Sequence, residues 1–161
     1  MYMFMRVLRV PGVLRPGGVS DRARLVAMTA LAMWVGAAAV MAVDLPVSLA
    51  HRLSLPLFSV VMANVLPSGL LLGGVLSAVA YAALLGEGEG IGQVARHAAA
   101  LSGIAAMVCR AIAVPAVVDA SGRHFAAAHA AAAALFGLSA LAAAVGCLGI
   151  GVIYGPWRAH G

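Results

Sequence analysis

Residues 123–155 read RHFAAAHAAAAALFGLSALAAAVGCLGIGVIYG, with no acidic residue and no lysine. Few folds can use such a run. At about 1.5 Å per residue, a helix over it is longer than the roughly 30 Å hydrocarbon core of a bilayer. A water-facing helix would carry a polar stripe along its length, and this one is polar only at its start. Three further apolar runs precede it, over residues 25–43, 66–85 and 93–117. Only 9% of the 161 residues are charged, too few to clothe a soluble domain. The chain therefore reads as all-α: an integral membrane, antiparallel four-helix bundle with short connections. Residues 1–24 form a basic tail, 25–155 the membrane domain with its last span over 125–154, and 156–161 a short C-terminal tail.

Prolines mark the expected breaks. Asp44-Leu45-Pro46 should end the first span, because proline disfavours helix in the residue before it. Residues 47–85 are too long for one simple crossing. The favoured reading splits them into an interfacial helix between the first and second spans (47–64) and a span from 66. Leu49, Leu53, Leu57 and Val60 would lie on one side of that helix, and Ser48, His51, Arg52 and Ser59 on another. A single long helix kinked at Pro67 is the alternative. The segment GEGEGIG, 86–92, is a solvated turn, Pro115 lies near the end of the third span, and DASGR makes the last loop.

All ten basic residues are arginine. No lysine is present for a Schiff base or a P-loop. The arginines are spread along a lipid-soluble chain, so they serve orientation and no nucleic-acid partner is expected. Arg6, Arg9, Arg15, Arg22, Arg24, Arg96 and Arg158 fall on the side of the termini; Arg52, Arg110 and Arg123 fall on the other. That imbalance predicts cytoplasmic termini in a bacterial inner membrane. Cys109 and Cys147 form no C-x-x-C pair, and no hydrolase, metalloprotease or dinucleotide fingerprint appears. Neither an enzyme activity nor a cofactor is expected.

The polar residues of the membrane domain gather toward the end away from the termini. Asp44, His51, Asn64, Arg110 and His129 form a candidate polar cluster, with Arg110 paired to Asp44. His129, His51 and Asp44 are weak candidates for metal ligands. His124 and His129 are five apart, which does not put both on one helical face. His129 and Cys147 are about 27 Å apart along one helix and cannot share a metal. The stripe Ala133, Phe136, Ala140, Ala143 and Cys147 continues from His129 and should face the bundle. His97 starts the third span at the opposite end from His129, a poor arrangement for haem. Snorkelling explains Arg110 equally well, and a backbone carbonyl could satisfy His129. Small residues let helices approach closely in lipid, so Gly69 with Gly73 and Gly151 with Gly155 are candidate packing pairs.

Several segments together resemble the transmembrane protein 205-like family, also described as domain of unknown function 4149. They are Trp34-Val35-Gly36, Asp44-Leu45-Pro46, Leu66-Pro67, Pro115, and His129 ahead of Leu135. The resemblance covers residues 24–155 and implies four spans of this length. Family members place a glycine after the histidine and an asparagine further along; here Ala130 and Phe136 or Gly137 stand there. The resemblance implies little chemistry and points to export or trafficking. Three functional classes follow, in order: a structural or accessory membrane component acting with itself or a larger complex; a transport or metal-handling protein; and a haem or redox protein.

Overall fold

The computed structural model describes residues 21–87, 90–119 and 123–154. The tail over residues 1–20, Gly155 and residues 156–161 lie outside them. The first span comprises α1 (Asp21–Ala39), a π-turn (Val40–Asp44) and α2 (Leu45–Ala50). The second is α3 (Leu55–Ala83). The third comprises α4 (Ile91–Val108), a second π-turn (Cys109–Ala113) and α5 (Val114–Asp119), and the fourth is α6 (Arg123–Tyr154). Each of the four is long and apolar enough to cross a membrane. Successive spans pack together and the first closes against the last, making an antiparallel four-helix bundle.

One break differs from expectation, and the geometry around proline explains it. Helix continues through Pro46 rather than stopping there, and it also runs through Pro115, which lies near the end of the third span as expected. A proline ring clashes with the carbonyl four residues back. The wider π-turn just before each proline removes that conflict: the N–H of Leu45 bonds to Val40 O, and that of Val114 to Cys109 O, each five residues back. The first and third spans thus carry the same device, a π-turn starting six residues before a proline.

The separate interfacial helix over 47–64 does not form. Residues 47–50 extend the first span, 51–54 make the turn, and 55–64 are the opening turns of α3. Helix α3 runs through Pro67, as the single-helix alternative supposed. Polar side chains near Pro67 bond within the helix: Asn64 Nδ2 donates to Val60 O at 2.8 Å, and Ser68 Oγ to Asn64 O at 3.0 Å.

The bundle is small inside and large outside. Ala27, Ala30, Ala38, Ala95, Ala99, Ala106 and Ala143 are buried, whereas Leu141, Leu148, Ile104 and Val152 are more than 60% exposed. That inversion answers the alanine content of α6. Lipid solvates a leucine as well as a protein core does, so helices gain by close backbone approach. Gly73 shows the same logic: a Cβ there would lie 2.6 Å from the Trp34 ring. Gly69 faces Met41 in the same way. On α6 the packing glycines are Gly146, against Leu31, and Gly149, against Ala95 and Ile91. Gly151 faces open space. It was expected to pack because of its spacing from Gly155, but the inward face of α6 at this level belongs to Gly146 and Gly149.

At the terminal end, Arg24 on α1 pairs with Glu87 in the α3–α4 turn. Arg96 Nη1 donates to Leu85 O at 3.2 Å and Glu87 O at 3.3 Å, serving carbonyls just beyond the C-terminus of α3. Gly90, at φ +96°, makes the turn into α4 in a conformation that glycine adopts without strain.

Candidate functional site

Two features occupy the bundle interior, and the first is a chain of hydrogen bonds through its middle. Each span contributes one residue: Trp34, Ser77, Ser102 and Ser139. All four are fully buried. Trp34 Nε1 donates to Ser139 Oγ at 3.0 Å, and Ser139 Oγ donates to Ser102 O at 2.8 Å. Ser139 has only one proton, so Ser102 is the donor in the 3.3 Å contact between their hydroxyls. Ser77 then donates to Ser102 Oγ at 3.0 Å. Every hydroxyl proton has an acceptor. Phe136 meets the Trp34 ring edge-on, with centroids 6.0 Å apart. None of the three serines was singled out from the sequence, and Trp34 entered only as part of the family resemblance. Their signal was available: one hydrogen-bonding side chain near the middle of each apolar run.

The second feature is a cavity of about 1250 Å³ between that chain and the end of the bundle away from the termini. All four spans wall it. Val35, Ala38, Met41 and Pro46 come from the first, Phe58, Met62 and Leu66 from the second, Cys109, Val114 and Val117 from the third, and Phe125, His129, Ala133 and Phe136 from the fourth. Both π-turns thus contribute to its wall through Met41 and Cys109. The cavity opens to the outside of the bundle, because Val60, Val118, Phe125, His129 and Ala133 on its lining are exposed. Water is a poor filler, because it needs two to four polar partners and the walls are almost wholly apolar.

The expected polar cluster is dispersed. His129 lines the cavity, with its imidazole stacked on Phe125 at 5.8 Å between ring centroids and 16° between planes. Asp44 and His51 are exposed at the end of the first span and the turn after it. Asn64 is exposed and bonded to its own helix. Arg110 sits in the second π-turn, half-buried, and its Nε is enclosed without a hydrogen-bond partner. The expected Arg110–Asp44 ion pair does not form; the ion pairs among the described residues join Arg24 to Asp21 and Glu87. Asp44 ends a π-turn whose register sets its direction, and that register was not readable from spacing alone. Among the described residues no three His, Cys, Asp or Glu side chains gather as a metal site, so His129, His51 and Asp44 do not come together. His97 is exposed in the second turn of α4. The stripe beyond His129 does turn inward at Phe136, Ala140, Ala143 and Cys147.

Cys109 Sγ donates to Ala132 O at 3.4 Å and Cys147 Sγ to Met28 O at 3.6 Å, so each thiol joins two spans; both are free. No protein family, curated protein or solved structure matches this chain, and the functional reading rests on its own residues.

Proposed function

We propose that this chain is a structural or accessory component of a bacterial inner membrane, with both termini in the cytoplasm. One observation carries the reading: a single hydrogen-bonded chain ties all four spans at their centre, while large apolar side chains such as Leu141, Leu148, Ile104 and Val152 face outward. A clasped interior with a lipid-compatible exterior suits a protein that works by being embedded, beside itself or a larger complex. The arginine imbalance supports the orientation. Neither a reaction nor a bound cofactor belongs to this reading. The test is purification in a mild detergent with mass determination by light scattering. A defined oligomer or a co-purifying membrane partner is expected. A lone monomer that restores a deletion strain without partners defeats it.

A second reading, transport of a solute at the non-cytoplasmic face, is favoured by the cavity and by His129 on its wall. It requires His129→Ala and Asp44→Ala to abolish a ligand-dependent phenotype at normal expression. Loss of folded protein in both variants removes it.

A further inference from the structure

We propose that the cavity is a binding site for one acyl chain of a membrane lipid, whose headgroup stays at the surface away from the termini. This goes beyond the accessory role and can fail without it. The lining is the first argument. Hydrocarbon needs no hydrogen-bond partner, and in Phe58, Leu66, Val114, Val117 and Phe136 it meets an apolar wall. Shape is the second. On α6 the lining runs from Phe125 to Ala140, about 22 Å along the helix at 1.5 Å per residue. A chain from one leaflet reaches about 15 Å, half of the roughly 30 Å core, so the slot takes it lengthwise. Access is the third. Every span supplies a wall, and exposed residues on the lining, Val60, Val118 and Phe125 among them, leave a way in from the surrounding lipid. Polarity is the fourth. His129, a polar group on the wall, lies six residues into α6, about 9 Å from the helix start and so toward the surface where a headgroup sits. The deep end stops near the Trp34–Phe136 ring pair.

The full chain is reconstituted in vesicles of phosphatidylethanolamine and phosphatidylglycerol. They contain a tracer of phosphatidylethanolamine with a diazirine at the end of its palmitoyl chain. Irradiation and peptide mass spectrometry then map the adducts. Adducts are expected on Val35, Leu66, Cys109 and Phe136 above those on the lipid-facing Leu141 and Leu148. Ala133→Trp and Ala39→Phe, which place a ring in the slot, should each cut the cavity adducts about fivefold or more. Ala82→Phe, outside the slot, should leave them unchanged. Helicity is checked for each variant. If one slot variant misfolds the other decides, and the wild-type map needs neither. Equal labelling of cavity and outer surface overturns the proposal. So does rapid reaction of Cys109 with a charged, water-soluble thiol reagent, which would mean a water-filled slot. Cross-links from the slot to a second copy would overturn it in favour of a protein occupant.

Discussion

The indole Nε1 of Trp34 and the hydroxyl of Ser139 lie 3.0 Å apart, joining the first span to the last across 105 residues of chain. Ser139 also donates to Ser102 O and accepts from Ser102, so it is the junction of the whole network. Ser139→Ala leaves the Trp34 N–H without its partner in a buried site. The expected loss is about 1–3 kcal/mol. Ser77→Ala removes only the end of the chain and should cost about 0.6 kcal/mol, the average for such bonds in membranes. Unfolding of both variants in mixed micelles measures the difference. Equal losses would mean that the bonds act as separate pairs.

Gly73 and Gly151 have opposite surroundings, and alanine should separate them. A methyl at Gly73 meets the Trp34 ring at 2.6 Å, so overpacking should destabilise by about 1–3 kcal/mol. Gly151 faces open space, and alanine there should add about 0.5–1 kcal/mol through helix propensity. Thermal melts in detergent read both signs.

Arg24 and Glu87 hold α1 to the α3–α4 turn, with side chains 20% and 10% exposed. Arg24→Ala strands a nearly buried carboxylate and should destabilise by about 1–3 kcal/mol. The double variant Arg24→Ala, Glu87→Ala should recover part of that loss, because the penalty lies in the unpaired charge. A double-mutant cycle with zero coupling would assign the loss to packing instead.

Among the described residues Arg110 makes no ion pair, and its enclosed Nε has no hydrogen-bond partner. Arg110→Met therefore removes an unsatisfied buried donor. Melting should stay level or rise, by up to about 1–2 kcal/mol in stability. A clear fall would show that the guanidinium holds the fold.

The span count and the all-helical class were legible because they depend on local quantities: run length and loop composition. The candidate site was legible only in part. His129 was singled out as an ionisable group inside a span and does line the cavity. Asp44 and Arg110 were matched by depth, but depth does not give azimuth. A π-turn adds a residue to one helical turn, and each of the two lies in such a turn.

By itself, the sequence determined that this chain forms four lipid-compatible helices with small, close-packing residues. Those properties follow from the composition of each run. The tertiary structure decided which faces turn inward. It set Gly146 in the interior and Gly151 outside it, brought four mid-span side chains into one hydrogen-bonded chain, and left the cavity beside it. The physical reason is the solvent. In water an apolar stripe marks the buried face; in lipid both faces are apolar, and only the fit of one helix against another selects between them.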